Sequence, residues 1–516
     1  MTPSLRIQVA PALHHTGFMD WLSCIASFAR YRNAREQARA FAGLCLVLVT
    51  GSVGPTAFGG NSLPLPLDGP PPVATIGIWR QINGGVLLAV TPERADFYHS
   101  SRFATYLDEE ESGKPLSATF VRYAVEDGGE TLVLFQNDLG GRFDEFFSRS
   151  TYRRINALPA STIMQPSKDE RFKQPQFVFD VFWHNLDEQY AVFDQRGFSW
   201  AEQRRKFRPK LTSTTTDEEL YGVLTGALSG LGDSHTRVYW TQRDEPFRSG
   251  SPKLVGYLDK AFTQQTAIGN LRQFRREWVS AQKAAALSTL AITPLEHAAG
   301  GKIRFGMLQG EVGYMELDVV TGFGPAGTSR EAQLNILEAE LDRILSSWGG
   351  ARAAIIDLSF NQGGADVFGA TIASRFADRR RPVLSVYYAG QQPDDARTLF
   401  ITPAGPCQFT RPVYLLTSNS TVSAGETLTL MLKAFPHVTQ VGEATRGDLS
   451  SLLNKRISNA FHITLSNEIW LDSSGTSYEG KGVPPEISFA VFAEDIPEES
   501  YQEAVRRAWK LATSVR

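Results

Sequence analysis

Ser423 lies in Ser418-Asn419-Ser420-Thr421-Val422-Ser423-Ala424-Gly425-Glu426, between an apolar run at Val413–Thr417 and a helical run from Ala424 to Ala434. A serine at such a junction can act as a nucleophile. The first helical turn offers unbonded N–H groups and the positive end of the helix dipole, and the Ala424 amide could receive an oxyanion. The commoner use of a serine there is as a plain N-cap. A second candidate is Asp357-Leu358-Ser359-Phe360-Asn361-Gln362-Gly363-Gly364. Paired glycines after a buried strand let backbone approach a ligand, as in an oxyanion hole, a phosphate cradle or a simple turn. No Gly-Lys-Ser/Thr follows, so this is not a Walker loop. Third is Leu231-Gly232-Asp233-Ser234-His235-Thr236-Arg237-Val238, where His235 sits in a polar loop. An imidazole is the usual base for a serine hydroxyl near neutral pH. Fourth is Glu479 in Tyr478-Glu479-Gly480-Lys481-Gly482-Val483, a carboxylate that could orient a base or face water. His184 and Glu188, four apart, could ligate a metal, but no third ligand stands near them; a packed or surface histidine is the default.

The elements that must carry these loops are legible from periodicity. From about residue 303 the pattern alternates strand and helix. Val312–Leu317, Ala353–Leu358 and Val413–Thr417 read as strands. Thr328–Trp348 reads as an amphipathic helix capped by Thr328-x-x-Glu331, and further helices start at about Asp366 and at Ala424. Such a rhythm implies a largely parallel sheet with right-handed crossovers, and the site then lies outside the carboxyl ends of the strands. Before it, 177–231 is helical, with Phe179, Phe182, Trp183, Leu186, Tyr190 and Phe193 on one stripe and a Thr216–Glu219 capping box. Short alternating runs between 73 and 160, with Asp127-Gly128-Gly129 as a hairpin signal, predict a small antiparallel β domain, its closure into a barrel left open. The organisation expected is a leader at 1–59, a Pro-rich linker at 60–72, the β domain at 73–160 and a helical domain at 170–243. A helical connector at 244–302, an α/β core at 303–492 and a C-terminal helix at 493–516 follow.

Composition narrows the class. The 516 residues carry 52 Lys and Arg against 55 Asp and Glu, a net charge of −3, which lacks the basic footprint of a nucleic-acid partner. Cys24, Cys45 and Cys407 are too few for a disulfide framework or a thiolate zinc site, and no metal or other cofactor is expected. No apolar run is long enough for a stable membrane span. Arg35 and Arg39 precede the apolar stretch Ala40–Gly54, and Thr56–Gly60 follows it; residues 35–59 therefore read as a secretory signal, implying a periplasmic or secreted protein, or a cytoplasmic one if the segment is a core helix instead.

Taken together, the motifs resemble one family. From about Phe177 to Ile487 the chain is similar to the tail-specific, or C-terminal-processing, serine peptidases, in the branch with the tricorn protease core. The resemblance rests on LGDSHT, the GYMEL strand, DLSFNQGG, STVSAGE, VGEATRG and GKGVPPE, in that order. It implies an α/β catalytic core of the ClpP/crotonase type, a mostly parallel sheet with crossover helices, beside the helical and β domains. One branch of the family takes its base from a lysine after Gly-Glu-x-Thr-x-Gly; here Asp448 stands in that place. The tricorn branch uses a histidine, the serine before it and a glutamate ahead of the Gly-Val turn. The resemblance thus implies Ser423 as nucleophile, His235 as base and then acid, Ser234 and Glu479 as orienting members, and the backbone amides of Ala424 and of Gly363 or Gly364 as oxyanion donors. It implies polypeptide substrates hydrolysed through an acyl-enzyme, with the oligomeric state left open. Most relatives place a PDZ-like peptide-binding module before the core, whereas residues 244–302 read as short and helical. Similar folds also serve as carriers of retinoids, which keeps a non-catalytic binder as the rival reading; an esterase of small substrates is disfavoured because no Gly-x-Ser-x-Gly surrounds Ser423.

Overall fold

Residues 62–82, 84–136, 144–159, 163–264, 270–493 and 497–514 are described by a computed structural model. The expected leader, with its signal segment at 35–59, lies outside them. The first strands are β1 (Leu63–Pro64), β2 (Gly77–Gln81), β3 (Val86–Val90), β4 (Ala95–Ser100), β5 (Thr105–Leu107), β6 (Arg122–Glu126), β7 (Thr131–Phe135) and β8 (Arg149–Ile155). They form one antiparallel sheet in the order β1-β6-β7-β8-β2-β3-β4-β5. Its outer strands are β1 and β5, so among the described residues it is an open sheet. The hairpin at Asp127–Gly129 is present: Gly128 takes φ 66°, and Glu126 pairs with Thr131. Trp79, Leu88, Leu132, Leu134 and Tyr152 pack on one face. Leu87 and Val133, which point the other way, are equally buried, so both faces are covered. Two residues of the Pro-rich stretch expected as linker pair with β6, and Leu65 is buried beside them.

Three helices follow, α1 (Pro175–Gln189), α2 (Trp200–Phe207) and α3 (Asp217–Leu228). The aromatic stripe on α1 buries Phe179, Phe182 and Leu186 against Trp200, Leu220 and Leu224. Thr216 and Glu219 close the capping box expected at α3. The chain then leaves α3 through the His235 loop into β9 (Arg237–Trp240) and β10 (Phe247–Arg248), and on to α4 (Lys253–Thr263) and α5 (Leu271–Leu287).

The remaining strands are β11 (Glu296–Ala298), β12 (Ile303–Leu308), β13 (Val312–Leu317), β14 (Ala353–Asp357), β15 (Arg381–Tyr388), β16 (Arg397–Ile401), β17 (Val413–Thr417), β18 (Val438–Gly442), β19 (Leu452–Arg456), β20 (Phe461–Ser466), β21 (Glu468–Asp472) and β22 (Ile487–Ser488). The helices among and after them are α6 (Arg330–Ser347), α7 (Asp366–Ser374), α8 (Ala424–Lys433) and α9 (Pro497–Thr513). The central sheet runs β11-β12-β13-β14-β17-β18-β22. It is parallel from β13 to β22 and antiparallel across β11, β12 and β13, a mixed sheet with the expected parallel centre. Alternate residues face opposite layers: Met315, Ile356 and Leu415 meet α6, α7 and α8, while Tyr314, Ile355 and Leu416 meet α5 and α9. The cap of α6 differs from expectation by one residue. Ser329 Oγ receives the Ala332 amide at 3.2 Å, while the Thr328 hydroxyl is donated to Pro325 O at 2.7 Å.

One pairing decides where the histidine loop goes. β9 pairs with β20, which arrives from the far end of the core, in the sheet β10-β9-β20-β19. The loop just ahead of β9 is thereby fixed against the core. Among the described residues no helix is long and apolar enough to cross a membrane.

Candidate active site

Strands β14 and β17 are neighbours in the parallel sheet, so the loops at their carboxyl ends lie side by side. They are laced together by buried bonds: Ser418 Oγ donates to Ser359 O at 2.6 Å, Thr421 Oγ1 to Leu358 O at 2.8 Å, and Val422 N to Asn361 O at 3.1 Å. Ser423 follows at the head of α8 with φ 58° and ψ −127°, a conformation that costs a residue with a Cβ about 1–3 kcal/mol. Surrounding bonds hold it there. Its amide lies 3.1 Å from Asp448 O and 3.2 Å from Glu426 Oε2. The side chain is half-buried at the surface end of an otherwise buried helix.

The glycine loop lies against this serine. A Cβ built on Gly363 would fall 2.6 Å from Ser423 Cβ and 3.1 Å from Ser423 Oγ, with the Gly363 backbone at φ +80°. The Gly363 amide is donated to Asn361 Oδ1 at 2.9 Å. The amides of Gly364 and Ala424 make no hydrogen bond among the described residues. Of the three amides implied by the resemblance, two are therefore unbonded beside the serine and the third is engaged.

His235 is buried, and its loop is fixed through the preceding aspartate. Asp233 accepts the His235 amide at 2.8 Å, the Thr236 hydroxyl at 2.7 Å and the Tyr190 hydroxyl at 3.0 Å. Thr464 on β20 donates to His235 O at 2.6 Å. The imidazole itself is uncommitted: Nδ1 is buried without a partner, and among the described residues no hydrogen bond joins the ring to Ser423 or Glu479. Ser234, expected to orient that ring, instead donates both its amide (3.1 Å) and its hydroxyl (2.5 Å) to Asp448 Oδ2. Glu479, also buried, accepts Leu449 N at 2.9 Å and Arg196 Nη2 at 3.3 Å.

Asp448 is thus the joint between the two halves of the site. Its carboxylate holds the histidine loop at Ser234, and its carbonyl holds the backbone of Ser423. Arg196, from the loop after α1, completes the joint with bonds to Gly232 O at 2.9 Å, Gly447 O at 2.7 Å and Asp448 Oδ1 at 2.7 Å. Glu426, in the first turn of α8, gathers the amides of Ser423, Gly447 and Asp448 and the hydroxyl of Thr445. Three buried carboxylates, Asp233, Asp448 and Glu479, therefore act on one buried guanidinium, with Glu426 buried next to Asp448, and their protonation reflects it. Burial, then Asp448, pushes Glu426 up to about 7. Burial pushes Glu479 well up against the pull of Arg196. Burial would raise Asp233 as well, but Arg196, His235 and the Thr236 hydroxyl bring it below its ordinary value.

The sequence reading missed the parts played by Arg196, Asp233, Glu426 and Asp448. Asp233 and Glu426 lie inside motifs already marked. Asp448 was visible as a departure at the lysine place, and a carboxylate where a cation is expected is itself a sign of a rewired polar cluster. Arg196 stands in Asp194-Gln195-Arg196-Gly197 with no signal of its own. His184 and Glu188 are used elsewhere: the His184 ring stacks on Phe103 at 5.1 Å, and Glu188 receives the Arg102 amide at 2.9 Å.

In its α/β sheet, with a serine at a strand–helix junction, the chain is similar to the α/β serine peptidases. Residues 312–489 match Peptidase family S41, and residues 172–228 match the Tricorn protease C1 domain, so the chain carries an S41 domain behind a tricorn-type C1 domain. The carboxy-terminal processing protease CtpA of Bacillus subtilis (strain 168) is 25% identical over 138 residues, which is 27% of this chain and 28% of that protein. The match therefore spans well under two thirds of that relative's length. A solved structure from Parabacteroides merdae ATCC 43184, provisionally described as a peptidase, has a TM-score of 0.52 at 19% identity and covers 66% of this chain and 96% of that one. This is a likeness of fold.

Proposed function

We propose that this protein is a serine endopeptidase that hydrolyses peptide bonds in unstructured or C-terminal polypeptide segments through an acyl-enzyme. The observation that carries the reading is Ser423 held at φ 58° with the Gly363–Gly364 loop against its hydroxyl and the Ser234–His235 loop clamped beside it through Asp448. In this reading Ser423 Oγ attacks the scissile carbonyl. The His235 imidazole takes the hydroxyl proton and later returns it to the leaving amine. The Ala424 and Gly364 amides receive the oxyanion, since the Gly363 amide is already bonded. Ser234 and Glu479 position the histidine loop, acting in this chain through Asp448 and Arg196. The free Nδ1 of His235 leaves the ring able to turn toward Ser423 when substrate closes the site, as catalytic hydrogen bonds often tighten only in the complex. The signal-like segment at 35–59 supports a periplasmic or secreted location.

The test is a pH–rate profile on an unfolded polypeptide, with a fluorophosphonate adduct mapped by peptide mass spectrometry. The adduct is expected on Ser423. Burial, ahead of the opposing pull of Asp233 and Asp448, holds the imidazole below its ordinary 6.5. A base must be neutral, so kcat/KM rises with pH through that lowered pKa, and the midpoint of the acid limb falls below 6.5. An acid limb above 6.5, or an adduct on another serine, would assign the chemistry to other groups.

Gly363→Ala is a second check. The added Cβ meets Ser423 Cβ at 2.6 Å and Val422 O at 2.9 Å on a backbone at φ +80°. The loop must move, and misplacement by about an ångström costs on the order of 10²-fold in rate. That loss in kcat/KM is expected, together with a lower Tm.

A further inference from the structure

Arg237 and Arg248 occupy directly opposed positions on the antiparallel strands β9 and β10, so two guanidinium side chains share one face. Like charges in that relation repel, and a guanidinium drawn out of water needs an anion beside it. Arg237 is partly provided for, with bonds to Ser234 O at 2.8 Å and Tyr239 OH at 3.4 Å. Arg248 is half-buried and, among the described residues, its guanidinium makes no hydrogen bond or ion pair. Burial and the charge of Arg237 lower its pKa to about 10, a sign of an unsatisfied cation.

The pair lies at the rim of the candidate active site. Arg237 follows His235 by two residues, and its guanidinium bonds the carbonyl of Ser234. Beyond Arg248 the chain runs along the site. Ser249 Oγ bonds Asp233 O at 2.6 Å, Gly250 packs on Gly232 beside Arg446, and Lys253 N reaches Asn419 Oδ1 in the serine loop at 3.2 Å. The described part of residues 244–302 otherwise consists mainly of α4 and α5.

We infer that Arg237 and Arg248 form an anion site that binds a carboxylate of the polypeptide substrate beside the His235 loop. The inference rests on the peptidase reading for the nature of the ligand. Two guanidinium forks can hold a carboxylate with paired, charge-assisted bonds. Such a carboxylate could be the free C-terminus, which would set cleavage at a fixed distance from the chain end, or an Asp or Glu side chain.

The test measures binding, separately from hydrolysis. Three fluorescein-labelled unstructured peptides are titrated by anisotropy against the Ser423→Ala protein, with and without Arg248→Met. One peptide ends in a free carboxylate, one is its amide, and one is the amide with a terminal-residue glutamate. The free acid is expected to bind on the order of 10-fold more tightly than the amide, with Arg248→Met abolishing the difference and leaving the folded protein's Tm within the range of the parent. Tight binding of the glutamyl amide alone supports the site with a side chain as its source. Equal binding of all three peptides overturns the site, as does an Arg248→Met loss that is the same for acid and amide. The parent protein is assayed on the same peptides. Hydrolysis of all three peptides alike sinks the anion site and leaves the peptidase reading standing, whereas carboxylate-dependent binding without any hydrolysis does the reverse.

Discussion

Replacing Ser423 with alanine is expected to remove hydrolysis of unfolded polypeptide and labelling by a fluorophosphonate, a loss on the order of 10⁴-fold or more in kcat. A serine present only to cap α8 would not behave so: its loss would cost about 1 kcal/mol of stability and leave the rate of any chemistry nearby almost unchanged. The backbone offers a sharper form of the test. At φ 58° and ψ −127° alanine inherits the strain of serine, whereas glycine does not. Ser423→Gly should therefore be as inactive as Ser423→Ala while unfolding at higher denaturant, by about 1 kcal/mol. A variant that gains stability as it loses all activity identifies a position strained for its chemistry. Full activity of either variant would place the nucleophile elsewhere. Circular dichroism and Tm secure the fold of both.

The periodic parts of the chain were legible because they answer to one local rule. Ile355 and Ile356 face opposite layers, and such runs announce a strand buried on both faces. The stripe on α1 and the box at Thr216 were equally readable. What the sequence could not convey is which distant strand each loop meets. The histidine loop is held by β20 through Thr464, and nothing near His235 reports that pairing. The same holds inside the site. Ser234, Ser423 and Glu479 each stand out in a motif, yet their hydrogen bonds run through Asp448 and Arg196, which reach across the fold. The Gly363 amide shows the finer limit: spacing brings it to the serine, but whether it is free depends on where the Asn361 side chain points.

Asp448→Ala is expected to weaken both the fold and the catalysis, for one reason. The carboxylate accepts the Ser234 amide and hydroxyl and the Arg196 guanidinium, and Arg446 Nε lies at 3.3 Å. Its removal leaves Arg196 with Glu479 as its one remaining carboxylate bond and strands a buried amide. Breaking a buried pair in this way costs about 3–5 kcal/mol. Asp448→Asn keeps the volume but turns one acceptor into a donor against Ser234 or Arg196, so it too should lose stability, by a smaller amount. On the reading proposed for His235, the clamp acts by positioning that loop and not by touching substrate, so kcat is expected to fall on the order of 10²-fold while KM holds. The fluorophosphonate labelling rate of Ser423 should fall in parallel, because labelling needs the same base. Asp448→Lys, which writes in the lysine of the other branch, should not rescue it: the new ammonium would face Arg196 and the Ser234 amide in a buried cluster, so the protein is expected to unfold in milder denaturant and stay inactive. Wild-type turnover from Asp448→Lys would show that the serine takes its base from this position, and the role given to His235 would fall.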